Sequence, residues 1–313
     1  MKKQIAAAMA LLMLSGCSTN KVATAGSVTM TGDQLMKKLD TPEKEYQFLL
    51  EKLYDKKYPT TDSMQKQADE RAEATKKQFR TNYGKSWQTT LNTYLSQAGF
   101  SSMDDYKKQY ISYLKRQQFI KAYVKKNFDK VFDEYAKYGK PVEAYMITIA
   151  VKDTSKPTAA EKKKLNEAEN YIKKNGFLKG AEKYGTPMYE NRKGYMGVID
   201  KITASYLDSY AKGLTDATFN LKTGQHTKFM KGTGYYIMSY AAESSKDKIK
   251  AEMKKLPSNS PLYSYKTSLE AEAFKASGIT YKKNAKKMNT YVNSLISQGD
   301  NTLRNGGISG AQS

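Results

Sequence analysis

The one cysteine of this 313-residue chain stands near its beginning, where its thiol could undergo covalent chemistry. Lys2 and Lys3 give a positive start, and Ile5 to Leu14 form an apolar run that leads into Leu14-Ser15-Gly16-Cys17. The run has about ten residues, which is too short to cross a bilayer but suits the apolar part of a secretion signal. The sequence therefore predicts an export signal that ends at a reactive cysteine.

Leu14-Ser15-Gly16-Cys17 resembles the lipobox of bacterial lipoproteins, in which the thiol is alkylated with diacylglycerol and the chain is cut before the cysteine. The resemblance implies a signal peptide over 1–16 and lipid attachment at Cys17. Because two acyl chains anchor a protein stably where one does not, it also implies a protein held on the extracytoplasmic face of the cell membrane. The alternative is a cysteine that happens to follow an ordinary signal.

Histidine, the usual acid-base catalyst near neutral pH, also occurs only once. His226 follows the turn Leu221-Lys-Thr-Gly224. A lone histidine has no partner to activate or orient it, so we interpret His226 as a partly exposed strand residue. Neither a metal site nor a cofactor is predicted.

The net charge of +22 favours anionic partners. Lipid head groups, wall polymers and nucleic acid all qualify, but export and the lack of a nucleic-acid-binding motif argue against nucleic acid. Much of the charge is dispersed along helices, as on a solvated face. With a single cysteine there is no disulfide to form, so stability must come from packed apolar surface.

The elements that must position any site fall into three regions. Residues 22 to about 137 read as helices opened by one strand, Val22 to Met30, and by a capping box at Thr31-Gly-Asp-Gln34. Residues 139–243 alternate strands and helices, from the β-rich run Val142 to Val151 to the closing strand Gly234 to Tyr240. This order predicts an α+β domain with a small antiparallel or mixed sheet.

Three further helices are predicted over Lys246 to Lys255, Pro261 to Ala276 and Lys286 to Gln298. The polar, glycine-bearing end from Gly299 to Ser313 is predicted to be disordered.

The order of these regions behind a lipobox resembles a PrsA-type foldase over roughly residues 22–290. The stretches that carry the resemblance are Val28-Thr-Met-Thr-Gly-Asp-Gln-Leu35, Ala181-Glu-Lys-Tyr-Gly-Thr186, Lys193-Gly-Tyr-Met-Gly197, Ala217-Thr-Phe-Asn-Leu-Lys-Thr-Gly224 and Gly234-Tyr-Tyr-Ile-Met238. The resemblance implies an exported lipoprotein that assists the folding of secreted proteins, and it makes a homodimer plausible. It divides the chain into a helical chaperone segment over 17–138, a parvulin-like peptidyl-prolyl isomerase domain over 139–243, a helical segment over 244–298 that packs with the first, and a tail over 299–313.

The resemblance also exposes departures at the positions that matter for catalysis. Parvulins carry two histidines that face each other across the sheet, and the matching positions here are Met146 and Tyr236. The family's acidic or thiol residue falls on Pro187, and its methionine and phenylalanine fall near Tyr210 and Leu214. We therefore expect a degenerate site that keeps a groove for proline-containing peptide without fast catalysis.

Aromatic side chains on the helical flanks are the candidates for holding an unfolded client chain, because tyrosine is rigid and methionine adaptable. The candidates are Trp87, Tyr94, Phe100, Tyr106, Tyr110 and Tyr113. Periodic aromatics on a helix normally face a core, which is the alternative interpretation for each of them.

Three functions stay open at this stage. The first is a holding foldase with a degenerate parvulin domain, and the second is a working prolyl isomerase with unfamiliar site residues. The third, a basic lipoprotein that binds a solute or wall polymer, is disfavoured because such proteins are expected to show two α/β lobes.

Overall fold

The computed structural model describes residues 21–25, 28–31, 41–185, 187–189, 192–281 and 284–305. Cys17 lies outside these residues. Of the predicted capping box at 31–34 they include only Thr31, and the start of the helix after the box lies outside them. The chain forms two compact units. Unit 1 holds the described residues up to Lys115 together with those of Gly278–Ser294, and unit 2 holds those of Arg116–Ser277 and of 295–305. The boundaries of these units differ from those of the predicted segments 17–138, 139–243 and 244–298. The predicted boundaries stay predictions.

Unit 1 opens with an antiparallel pair of strands, β1 (Lys21–Ala25) and β2 (Val28–Thr31), so the prediction of one strand over Val22 to Met30 was wrong. Its helices are α1 (Pro42–Lys57), α2 (Asp62–Tyr83), α3 (Trp87–Gln97) and the part of α4 (Met103–Lys126) up to Lys115. Thr41 caps α1 and Thr61 caps α2, each with a side-chain oxygen that accepts a backbone N–H in the first turn. Because Thr61 is the N-cap residue, α2 begins at Asp62.

A small apolar cluster holds α2 against α4. Met64, Ala68 and Ile111 are buried in it, and Tyr110 packs on its edge. Alanine at position 68 brings the two helices close, because a larger side chain would hold the backbones apart. The remaining face of α2 is charged, as its composition predicts.

Unit 2 begins in α4 and contains a four-stranded sheet and a two-stranded one. Its further elements, in chain order, are α5 (Phe128–Gly139), β3 (Val142–Ala150), α6 (Ala159–Asn175), α7 (Phe177–Tyr184), β4 (Pro187–Tyr189), β5 (Arg192–Lys193), β6 (Tyr195–Ile199), α8 (Leu207–Tyr210), α9 (Leu214–Phe219), β7 (Met230–Lys231), β8 (Tyr235–Glu243), α10 (Lys246–Met253), α11 (Leu269–Lys275) and the end of α12 (Ala285–Arg304). The strand β4 pairs with β5, and the strands β6-β3-β8-β7 form an antiparallel sheet in that order. The predicted α+β fold with a small antiparallel sheet is confirmed.

Each face of this sheet covers its own core. On one face, Met146 and Ile237 pack with α8 and α9. On the other, Ile147, Ile149 and Met238 pack with α6 and α7. Alternate residues of a strand point to opposite faces, so the nearly continuous apolar run of β3 reflects a strand that is covered on both sides.

The predictions for the C-terminal part need two corrections. The helix predicted over Pro261 to Ala276 is a 3₁₀ turn, Pro261–Tyr263, followed after a gap by α11. The tail predicted to be disordered from Gly299 is helical up to Arg304, because Leu303 is buried in the apolar core beside α5 and Gly299 lies against Ser268. A Cβ on Gly299 would come within 2.4 Å of the Ser268 side chain. No helix in the described part of the chain is long and apolar enough to cross a membrane.

A buried lysine fills the gap between the 3₁₀ turn and α11. The Lys266 ammonium lies 2.5 Å from Glu134, 2.6 Å from Glu272 and 3.2 Å from Asp300, and its side chain is only 2% exposed. The Tyr265 hydroxyl donates a 2.6 Å hydrogen bond to the same Glu134 carboxylate. We call these five residues the Lys266 cluster. It joins α5, α11 and α12 through charge-assisted hydrogen bonds.

The Lys266 cluster makes stability depend on pH. Burial alone would raise the pKa of Glu134, but hydrogen bonds from Lys266 and Tyr265 together hold it below its ordinary value of 4.5. A lowered carboxyl pKa contributes stability above pH 4.5 that is lost as the pH falls through the folded-state pKa. Tyr265→Phe is therefore expected to destabilise the protein more at pH 7 than at pH 3. Urea unfolding at the two pH values measures this, and an equal loss at both would contradict it.

Candidate peptide-binding site

Only some of the predicted parvulin-like positions lie together in the structure, in one apolar cluster. Met146 from β3 and Leu214 from α9 are buried together with Leu207 and Ile237, all at most 3% exposed. We call the buried residues around them the Met146 cluster: Val142, Ala144, Met146, Ile199, Ala204, Leu207, Ala211, Leu214 and Ile237. Two of the five predicted site residues therefore belong to the core of one sheet face.

A rim of half-buried side chains borders the Met146 cluster. It consists of Met196, Tyr210, Phe219, Met230 and Tyr235. Tyr210 and Tyr235 contact each other with ring centroids 6.4 Å apart, so the predicted residue Tyr210 is placed beside Met146 and Leu214 as expected. Two methionines and three aromatic rings offer an apolar, adaptable surface of the kind that accepts a proline ring or other apolar side chains.

Tyr236 does not join the Met146 cluster. In the register of β3 and β8, Met146 pairs with Ser239 and Tyr236 pairs with Ile149. Paired residues share a face and neighbours alternate, so Met146 and Tyr236 point to opposite faces of the sheet. The expectation that these two positions face each other was therefore wrong.

The Tyr236 hydroxyl already has a partner on its own side. It donates a 3.0 Å hydrogen bond to the Thr154 carbonyl oxygen, and the Thr154 hydroxyl donates to the Gly232 carbonyl. These bonds fasten the loop after β3 to the start of β8. The hydroxyl thus has a structural use, which the sequence did not indicate.

Pro187 lies at the start of β4, where it pairs with Lys193 in a two-stranded ladder. Its side chain is outside the described part of the structure, so its predicted place in the site stays a prediction.

Two polar side chains beside the Met146 cluster are hidden. The Ser239 and Thr218 hydroxyls are buried and have no hydrogen-bond partner among the described residues. Ser239 stands directly opposite Met146 in the strand pairing. Prolyl isomerisation needs polar groups placed around a twisted amide, and two neutral, fully buried hydroxyls do not supply such a set.

Gly194, directly before the edge strand β6, positions Met146 in the neighbouring strand β3. The Met146 N–H donates a 2.7 Å hydrogen bond to the Gly194 carbonyl oxygen, beside the irregularity where β3 meets β6. Gly194 has a φ of 72°, and a Cβ on it would lie 2.5 Å from the Met146 carbonyl oxygen. Only glycine combines this backbone conformation with so close an approach.

Asp200 was not among the residues predicted from the sequence. It directly follows β6 and stabilises the turn after this strand. Its carboxylate accepts hydrogen bonds from the backbone of Ile202 and Thr203, from the Thr203 hydroxyl and from the Tyr135 hydroxyl. Burial raises the pKa of Asp200 despite these bonds. An aspartate just after a strand with threonine three residues on is a turn signal that would have indicated this structural role.

The aromatic candidates on the helices divide into exposed and half-buried residues. Tyr94 and Tyr113 are 46% and 48% exposed, so the core alternative fails for these two. Phe100 and Tyr106 are half-buried and meet edge to face at 5.2 Å, and Tyr106 accepts a hydrogen bond from Arg71. Tyr110 is half-buried beside Tyr113, their rings stacked at 5.8 Å.

His226 is exposed and forms a single β-bridge with Tyr240. Its Nδ1 lies 2.8 Å from the Thr227 carbonyl oxygen, and its ring centroid lies 5.8 Å from that of Phe177. The prediction of a histidine on strand-like backbone at the surface is confirmed.

Comparison with known proteins gives one clear relative. No family model matches the chain. The foldase protein PrsA of Latilactobacillus sakei subsp. sakei (strain 23K) is 28% identical over 265 residues, which cover 82% of this chain and 81% of that protein.

Crystal structures of PrsA proteins also match, but weakly. PrsA from Bacillus subtilis is 20% identical with a TM-score of 0.38, and the match covers 87% of this chain and 99% of that one. PrsA from Streptococcus pneumoniae str. Canada MDR_19A is 18% identical with a TM-score of 0.38, covering 90% and 100%. The resemblance to a PrsA-type foldase, predicted from short motifs, is thus confirmed by a sequence match that spans most of both chains.

Proposed function

We propose that this chain is an extracytoplasmic foldase that assists the folding of secreted proteins mainly by holding unfolded chains. Its parvulin-like region then serves as an apolar peptide groove and not as an efficient prolyl isomerase. The relative named foldase protein PrsA supports the general function. The holding mechanism is our own inference from the site.

The observation that carries the proposal is the apolar character of the Met146 cluster and its rim. Nine buried apolar residues form the cluster and five half-buried methionines and aromatics form its rim, while the neighbouring Ser239 and Thr218 hydroxyls are fully buried. Catalysis requires groups that bind the twisted amide better than either planar form, and such preorganised donors are each worth about 10²–10³ in rate. An apolar groove can bind a proline-containing segment but does not favour the twisted state over the planar ones.

The anchor completes the proposal. A diacylglycerol on Cys17 would hold the protein at the extracytoplasmic face of the membrane, where secreted chains emerge unfolded, and would raise the local concentration of its binding surfaces. The charge of +22 suits a surrounding of anionic head groups and wall polymers. Homodimers are a further possibility that size measurement would decide.

The test is a protease-coupled prolyl isomerisation assay on a soluble form that begins after Cys17, with an active parvulin as the positive control. We expect no acceleration above the spontaneous rate, together with suppressed aggregation of a chemically unfolded secreted protein. A proline-specific acceleration that disappears in Tyr210→Ala would instead establish a working isomerase.

The variant Met146→His/Tyr236→His is a useful companion in the same assay. The two side chains point to opposite faces of the sheet, so two histidines at these positions cannot act on one peptide bond. We expect this variant to stay inactive, and a gain of activity would overturn the register argument.

A further inference from the structure

The junction of α2 and α3 carries an exposed aromatic surface that the parvulin-like site does not use. Phe79 lies between Tyr83 and Tyr94, with ring centroids 5.3 Å away on each side. Tyr83 and Tyr94 are 47% and 46% exposed. Trp87 is half-buried and directly follows the short 3₁₀ segment Gly84–Ser86, as the first residue of α3. We call Phe79, Tyr83, Trp87 and Tyr94 the α2–α3 aromatic cluster.

The stretch of sequence that carries this cluster has charge of one sign. From residue 74 to residue 103 the sequence has no aspartate or glutamate, while it has Lys76, Lys77, Arg80 and Lys85. Lys76 is paired with Glu73 at 2.7 Å, and the Arg80 guanidinium lies 4.5 Å from the centroid of the Trp87 ring. Among the described residues, neither Lys77 nor Lys85 takes part in an ion pair. Much of the positive charge is therefore available to a partner.

We propose that the α2–α3 aromatic cluster binds segments of unfolded chains in which apolar side chains are flanked by carboxylates. This rests on the proposed function and names the class of client segment. Exposed tyrosines give large, rigid contact area at low entropic cost, and arginine beside tryptophan is a composition typical of strong interface contacts. The basic surroundings then select acidic flanks and disfavour basic ones.

An anionic membrane surface is the competing partner, because lysine, tyrosine and tryptophan also suit a lipid interface. The packing favours peptide. Phe79 contacts both Tyr83 and Tyr94, and the Arg80 guanidinium lies over the Trp87 ring, so Phe79 and Trp87 are each partly covered and do not protrude singly for insertion.

Trp87 is the only tryptophan of the chain, so its fluorescence reports directly on this surface. The probes are two synthetic peptides with the same six-residue apolar core, flanked on both sides by three glutamates or by three lysines. Titrated into the full mature protein at low salt, the glutamate peptide is expected to change Trp87 emission and to bind about tenfold more tightly, as a few exposed ion pairs allow. At 1 M salt, where the Debye length is about 3 Å, the preference should largely disappear.

Three variants assign the effect to residues. Tyr83→Ala/Tyr94→Ala is expected to weaken glutamate-peptide binding at least about tenfold, since exposed aromatic anchors dominate such contacts. Lys77→Gln/Lys85→Gln is expected to keep binding but to lose most of the preference for acidic flanks. Phe48→Ala is the matched control, because Phe48 is a comparably exposed aromatic (45%) on α1 in the same unit, and it should leave binding unchanged.

Two outcomes would overturn the inference. One is equal binding of both peptides with no effect of the Tyr83→Ala/Tyr94→Ala change. The other is a Trp87 response to phosphatidylglycerol vesicles but not to either peptide, which would assign the surface to the membrane. Aggregation assays on the same proteins separate this inference from the proposed function: a wild-type protein that holds clients while the peptides fail refutes only the site, whereas a wild-type protein that holds nothing refutes the function.

Discussion

Replacing Lys266 with methionine is expected to lower the free energy of unfolding of unit 2 by about 3–5 kcal/mol. Removing the ammonium leaves Glu134, Glu272 and Asp300 close together without a cation, in a place where the lysine side chain is 2% exposed. For a unit of this size the thermal midpoint should fall by about 10 °C or more. Calorimetry or circular dichroism on the soluble protein measures the shift.

Lys250→Met is the matched control for Lys266. Lys250 also contacts two carboxylates, Asp129 at 3.0 Å and Asp133 at 3.8 Å, but both carboxylates are more than half exposed. Surface ion pairs of this kind contribute little, so the midpoint should hardly move. Similar midpoints for the two variants would show that the Lys266 cluster is not the electrostatic tie that its geometry indicates.

Replacing Gly194 with alanine is expected to cost about 2–5 kcal/mol, from a side chain at positive φ and from a new contact with backbone. The added Cβ would meet the Met146 carbonyl oxygen at 2.5 Å, and backbone cannot rotate away as a flexible side chain can. We expect the edge strand β6 to shift from β3 and the Met146 cluster to pack less tightly. Urea unfolding gives the stability change, and faster hydrogen exchange of the Met146 amide would locate it.

Gly213→Ala separates the two causes. Gly213 has a φ of 79°, close to that of Gly194, but no atom lies within 4 Å of the position of its Cβ. Its replacement should cost only the backbone strain, about 1–2 kcal/mol. If both alanine variants lost the same stability, the close approach to Met146 would have no energetic weight.

Local signals in the sequence predicted local structure well. The stretch Pro157-Thr-Ala-Ala-Glu161 is typical of a helix start, and Thr158 and Glu161 form a reciprocal capping box before α6. Such motifs are decided by neighbours within one helical turn, so the sequence contains all the information that they need.

Features that join distant segments could not be predicted in this way. Lys266 contacts Glu134 and Asp300, which lie 132 and 34 residues away along the chain. No sequence pattern near Lys266 indicates that it is buried. Helical periodicity likewise did not reveal that Tyr94 and Tyr113 are exposed while Tyr106 is half-buried, because periodicity identifies a face of a helix but not what covers it.

The candidate site shows the same limit for strand pairing. Matching short motifs pointed to Met146, Tyr210 and Leu214, which lie together in the structure. It also placed Tyr236 there, because a motif match fixes a position along a strand and not the face to which the side chain points. That face depends on the register of β8 against β3, which is set by both cores together.

This register also restricts how the protein could acquire a facing histidine pair at positions 146 and 236. Two substitutions would not suffice, since a one-residue slip of β8 along β3 would be needed to bring both side chains to one face. The same slip would turn Ile237 and Met238 out of their separate cores, each of which covers one side of the sheet. Each intermediate on such a path would lose part of one of the two cores, so selection for stability disfavours a facing histidine pair at positions 146 and 236.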